Sequence, residues 1–161
     1  MNARQPPVLI ARTDLVRLRR FARKMLGKRD FVGAFLMSEI SRARLCEDAE
    51  LPPDVVRLGE WVTYRIDGRS RTDCKILVCP EEFCNPQISL SVLSPTGAAI
   101  LGLSVGSRRK FVELDGDWHF AEVEGVGAPP NAPSILPVRA RRAAARLFRN
   151  PGPDDDGPTA A

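Results

Sequence analysis

The residues able to do chemistry are few and poorly spaced for it. Cys46, Cys74, Cys79 and Cys84 are the four cysteines, and His119 is the single histidine. Structural zinc sites use closely paired ligands, and no Cys-x-x-Cys pair occurs here, so no metal is expected and the thiols read as reduced side chains, several of them in strands. No Ser–His–Asp set stands in a motif context and no phosphate-cradling G-x-x-x-x-G-K-[ST] is present. His119, alone in a strand pattern, reads as packing or solvent-facing. The pair Glu81-Glu82 lies among turn residues, where a solvated loop outweighs an acid/base role. No catalytic residue and no cofactor is therefore expected, and the chain does not read as an enzyme.

The stretch around which the rest is organised is Ser94-Pro95-Thr96-Gly97-Ala98-Ala99-Ile100-Leu101-Gly102-Leu103-Ser104-Val105-Gly106. Before it, Ile88, Leu90 and Val92 alternate with Gln87, Ser89 and Ser91, the period of a half-buried strand over 86–93. Ser94 is a suitable N-cap, Pro95 pre-sets the first helical turn without losing a needed donor, and Gly102 stops the helix. A proline-stiffened turn also loses little entropy when it docks on a partner. An ordinary structural corner would have the same composition.

This stretch resembles the C-terminal FKBP-like domain of the Gre transcription factors, and the full run SPTGAAILGLSVG is closer to their relatives, the regulators of nucleoside diphosphate kinase (Rnk). A second segment, Leu51-Pro52-Pro53-Asp54-Val55-Val56-Arg57-Leu58-Gly59, resembles the Rnk entry into the β domain. The two motifs occur in the family's order, and the resemblance covers roughly residues 8–126. Where Gre factors carry an acidic residue just before the Ser-Pro, this chain has Leu93, as in Rnk.

Composition fits a water-soluble α+β protein. Of 161 residues 43% are hydrophobic and 27% charged, and no apolar run approaches the ~18 residues needed to span a bilayer. The opening MNARQPPVLIAR has no apolar signal core, so a cytoplasmic location and no membrane partner are expected. The net charge of +4 is unevenly spread: 1–46 carry 11 basic and 3 acidic residues, 47–126 carry 8 and 14, and 127–161 carry 5 and 3. A basic arm on an acidic body suits either a solvated helix face or contact with nucleic acid.

The elements follow from periodicity. Residues 8–11 form a short extended piece, and Thr13 or Asp14 caps a helix with Leu15, Leu18, Ala22 and Met25 on one face. Gly27 ends it, Asp30 caps the next, and Val32, Leu36, Ile40 and Ala43 form the second apolar stripe, with Phe35 beside it. Two such arms make a short antiparallel hairpin projecting only ~20 Å. Residues 47–53 read as a linker. Strands follow at 61–66 and 72–78 around Asp67-Gly68, then at 86–93, and at 108–114 and 118–126 around Asp115-Gly116-Asp117. The expected fold is α+β: a helical hairpin (1–46), a five-stranded antiparallel FKBP-like body of the Gre C-terminal type (47–126), and a flexible tail (127–161), basic and then acidic. Within that tail, 138–148 with Arg139, Arg141, Arg142 and Arg146 reads as a transient helix or docking segment.

What the resemblance implies is a partner rather than a substrate. Gre-like proteins bind RNA polymerase through the β domain beside the secondary channel and present the hairpin toward that channel. By resemblance, Ser94, Pro95, Thr96 and Gly97 fall on the polymerase-facing loop, and Lys28, Arg29 and Asp30 form the hairpin tip. The expected protein is a Rnk-like, non-catalytic regulator of elongation, with an indirect link to nucleoside diphosphate kinase. Two alternatives stand beside it. One is a peptidyl-prolyl isomerase, suggested by the FKBP likeness but short of aromatic walls in a chain with seven Phe, two Trp and one Tyr. The other is a nucleic-acid binder that makes weak contacts through the basic hairpin and tail.

Overall fold

Alternation of inward and outward side chains builds the centre of the molecule. In the computed structural model, which describes residues 4–28 and 30–133, Val62, Tyr64 and Ile66 of β3 (Trp61–Ile66) turn into the main core, while Trp61 turns to the opposite face. β3 pairs antiparallel with β4 (Thr72–Val78) across the Asp67-Gly68 turn and with β7 (Trp118–Val126) on its other side. β6 (Arg108–Val112) pairs antiparallel with β7, and β5 (Ser89–Ser91) lies beside β4, giving the order β5-β4-β3-β7-β6.

One edge of that sheet departs from the all-antiparallel expectation, because β5 runs parallel to β4. A parallel return normally needs a long crossover. Here Ser89 aligns with Ile76, so the connection has only to bring the chain back by the length of a three-residue strand. The 3₁₀ turn Pro80–Glu82 and the Asn85 turn, whose backbone carbonyl accepts from Ser89 N at 2.7 Å, suffice for that. β5 is also shorter than the alternation over 86–93 suggested, because Ser91 turns the chain: its Oγ accepts from Leu93 N and its carbonyl from Ser94 N.

The hairpin consists of α1 (Arg12–Leu26) and α2 (Phe31–Arg42). Asp30 caps α2 as expected, its Oδ1 accepting from Val32 N at 2.7 Å. α1 starts without a side-chain cap: the N-cap is Ala11, and the Thr13 hydroxyl donates to Asp48 instead. The helices approach closely at Gly33, where a Cβ would meet the Met25 Cβ at 2.5 Å. They do not stand clear of the body. Leu18, Phe21, Leu36 and Ile40 share one core cluster with Val62, Leu77, Ala99 and Phe111.

Two features join hairpin to body that periodicity did not indicate. β1 (Leu9–Ala11) pairs in parallel with β2 (Arg44–Cys46), closing the base of the hairpin. Leu9 N then donates to the Gly102 carbonyl at 2.9 Å. Gly102 has φ +74, and a Cβ there would meet Val8 Cγ1 at 2.6 Å, so this position requires glycine for both conformation and space.

On the outer face, Trp61, Ile76 and Val78 form a small cluster covered by Ala132. The chain is led there by Gly127 N, which donates to the Trp61 carbonyl. Gly127 and Ala132 therefore lie against the outer face of the sheet, within the stretch read as a flexible tail. The arginine-rich segment 138–148 and the acidic end lie outside the described residues. Among the described residues, no helix is long and apolar enough to cross a membrane.

Candidate functional site

The predicted corner forms as its sequence dictates. Ser94 is the N-cap of α3 (Pro95–Ile100), its Oγ accepting from Gly97 N at 3.0 Å and donating to the Ser91 carbonyl at 2.7 Å. Pro95 occupies the first turn, where its missing N–H costs nothing. The four residues are brought together, but three of them face inward: Pro95, Thr96 and Gly97 are buried, and the Thr96 hydroxyl donates to Glu113 Oε1 at 3.2 Å. A Cβ on Gly97 would lie 2.0 Å from the Ser91 carbonyl oxygen, so no larger residue fits. The accessible part of the corner is Leu93 and Ser94, both half-buried.

At the hairpin tip Lys28 is exposed, while the Asp30 carboxylate is engaged as the α2 cap. Arg29 lies outside the described residues. The apolar residues flanking this tip are unusually open, Leu26 being 40% and Phe31 48% exposed.

Tip and corner meet at a feature the sequence reading did not assemble. Phe31, Phe35, Pro95, Trp118 and Phe120, with the whole of β6, line a groove of about 650 Å³. Trp118 is 63% exposed, and cations lie over the outer aromatic faces: the Arg108 guanidinium 4.1 Å from the Phe120 centroid and Lys110 Nζ 4.5 Å from that of Trp118. The available signals were the i, i+4 pair Phe31 and Phe35 on α2 and the i, i+2 pair Trp118 and Phe120 on β7. Each pair is unremarkable alone, and only the topology places them together.

The charge asymmetry has a structural use. Arg12 pairs with Glu47, Arg17 with Glu82 at 3.0 Å, and Arg20 with Glu81, so acidic loops of the body lie against the basic face of α1. Glu81 and Glu82 are thereby accounted for as ion-pair partners. Cys79, buried below them, has its thiol pushed up to about 11 by burial, which keeps it protonated and unreactive at neutral pH. Burial also raises the Tyr64 hydroxyl, with Asp73 adding to the effect. His119 Nδ1 lies 3.5 Å from Asp67 Oδ1, whose principal role is to accept from Phe120 N at 2.7 Å. No cluster of three metal-ligating side chains occurs among the described residues.

A mixed α+β body with a hairpin laid on it and a Ser-Pro corner beside an apolar groove is similar in fold to the Gre factors. It is similar to a prokaryotic GreA/GreB transcription elongation factor from Nitrosomonas europaea, with a TM-score of 0.60 and 25% identity over 76% of this chain and 99% of that one. Nearer in sequence are the regulators of nucleoside diphosphate kinase of Escherichia coli K12 and Shigella flexneri, each 38% identical over 71 residues, 44% of this chain and 52% of theirs. The chain thus spans about half the length of the curated relatives it matches. No family model matches it.

Proposed function

We propose that the protein is a Rnk-like, non-catalytic regulator of transcription that binds RNA polymerase beside the secondary channel, its FKBP-like body making the contact and its hairpin meeting the channel mouth. The observation that carries this reading is the Gre-type arrangement shared with the Nitrosomonas factor across three quarters of the chain. The corner at 94–97 is the contact. Its buried residues fix the turn, and Leu93 and Ser94 meet the partner. The tip residues Lys28, Arg29 and Asp30 then plug or compete at the channel rather than deliver a metal. Nucleic-acid contact by the hairpin rests on the exposed Arg19, Arg23, Lys24 and Lys28 and is weak, because Arg12, Arg17 and Arg20 are ion-paired with the body.

The test is capture of core polymerase by the purified full chain. Ser94→Asn keeps both an N-cap acceptor and a donor, and combined with Leu93→Lys it should abolish capture without changing the circular dichroism spectrum. Undiminished capture by the folded double variant excludes the corner as the contact. One observation favours the isomerase reading, namely that Phe31, Phe35, Phe111, Trp118 and Phe120 converge on one groove. Turnover in a proline-peptide isomerisation assay, lost on Phe35→Ala, would establish that reading in place of the regulatory one.

A further inference from the structure

The groove follows a strand edge. All five residues of β6 line it, and they include both the inward Arg109 and Phe111 and the outward Arg108, Lys110 and Val112. A cavity bounded by both faces of one strand lies along that strand's free side. β6 is the last strand of its sheet among the described residues. The bonds Glu113 N to the Asp117 carbonyl and Val123 N to the Ser107 carbonyl bracket it, so with the register Arg108↔Glu122 to Val112↔Trp118 the odd-numbered residues face β7. Arg108, Lys110 and Val112 therefore present their backbone N–H and C=O groups outward, into the groove.

From this geometry we infer that β6 accepts an added strand: an acidic, extended peptide segment of a partner protein, alternating carboxylate and apolar side chains. Ladder hydrogen bonds to the three outward residues give the affinity, and side-chain pockets on alternate sides give the specificity. On one side the added chain meets Val32, Phe35 and Phe111, an apolar wall. On the other it meets Arg108 and Lys110, and no Asp or Glu is among the lining residues, which sets the sign of the occupant. The Arg109 charge is already taken up by Glu39 and does not contribute, and Arg108 is shared with Asp67 at 3.9 Å, so Lys110 sets the sign most directly.

Arginine and lysine on an edge strand also serve to discourage pairing. Edge protection, however, does not account for a groove of about 650 Å³ with half-exposed Phe31 and exposed Trp118 on its walls. Single-stranded nucleic acid would need open ring faces for its bases, and one face each of Trp118 and Phe120 is already taken by Lys110 and Arg108. The inference is independent of polymerase binding and concerns a different face of the corner.

The probe is an end-capped peptide of about nine residues alternating glutamate with valine and phenylalanine, titrated into the full chain. Binding should slow amide exchange at Arg108, Lys110 and Val112. Lys110→Glu should weaken it about tenfold, and Phe31→Ser, at an exposed position, should also weaken it. Lys110→Pro, which removes the ammonium and an outward N–H but none of the bonds to β7, should abolish binding with the fold intact. The inference is overturned by no binding, by equal affinity for the lysine-substituted peptide, or by binding without protection of those three amides. Occupation of the groove by oligothymidylate instead, or by a second copy of this chain detected in sedimentation, overturns it equally.

Discussion

Glu39 of α2 and Arg109 of β6, seventy residues apart, meet in the interior, with Arg109 Nη2 donating to Glu39 Oε1 at 2.5 Å. The Glu39 side chain is fully buried and is also held by Arg42, whose Nη1 donates to the Pro6 carbonyl. One carboxylate thus ties the second helix to the edge strand and, through Arg42, to the N-terminal segment. Taking charges out of water is costly, so the arrangement specifies where the hairpin lies more than it adds stability.

The consequence is asymmetric between the partners. Glu39→Ala leaves the buried Arg109 guanidinium without its carboxylate and should cost about 3–5 kcal/mol in urea unfolding. Arg109→Met leaves Glu39 still paired with Arg42 and should cost clearly less. Equal losses would show that Arg42 does not share the carboxylate.

The segment after Val126 gives a second expectation. Trp61 is 5% exposed and lies in the cluster that Ala132 covers. A chain ending at Val126, compared with one ending at Pro133, should show red-shifted Trp61 emission and lose about 1–2 kcal/mol of stability. Identical emission from the two chains would mean that the segment 127–133 does not cover the sheet in solution.

How far the sequence discloses this molecule depends on the range of the interaction. The Trp61–Ile66 strand, the Asp30 cap and the Ser94-Pro95 helix start were legible because each is decided by residues a few positions apart. The parallel pairing of β5 was not, since alternation fixes which face a side chain takes but not the direction of the neighbouring strand. The basic stripe of α1 was visible as charge, but the Arg17–Glu82 pairing that takes up part of it joins distant segments of the chain. Glu39 offered a signal that went unused: it falls on the same helical face as Val32, Leu36 and Ile40, where a carboxylate requires a buried partner. The groove depends on five separate segments, so no single window contains it.

Cys79 carries a pH dependence whose sign follows from its burial. Its thiol ionises near 11 in the fold against 9.0 ordinarily, so between these values the folded chain holds a proton that the unfolded chain has released. Stability from this group is constant below pH ~9 and is lost as pH rises toward the folded value. Thermal midpoints should fall more steeply above that point for the native chain than for Cys79→Ala, the variant lacking the thiol. At neutral pH iodoacetamide should modify the exposed Cys84 and spare Cys79. Equal alkylation of both would contradict the burial on which this depends.

The last expectation concerns transcript cleavage, which the resemblance to Gre factors raises and the hairpin argues against. In those factors acidic residues at the tip of a long hairpin help hold a Mg²⁺ in the polymerase active site. Hard cations want several carboxylate oxygens at coordination distance, so both the charge and the reach of the tip matter. Here Lys28 is a cation, and the one tip carboxylate, Asp30, already accepts from Val32 N. α1 and α2 have 15 and 12 residues, about 22 and 18 Å of helix, and both are packed on the body for part of that length. Added to a stalled, backtracked elongation complex, the protein should release no short 3′ RNA fragments and should inhibit Gre-stimulated cleavage in proportion to its concentration. The informative variant is Asp30→Asn, which keeps a capping oxygen while removing the charge. Fragment release by the native chain that disappears in Asp30→Asn would refute the plug reading, because a carboxylate held as a helix cap would then be acting as a metal ligand.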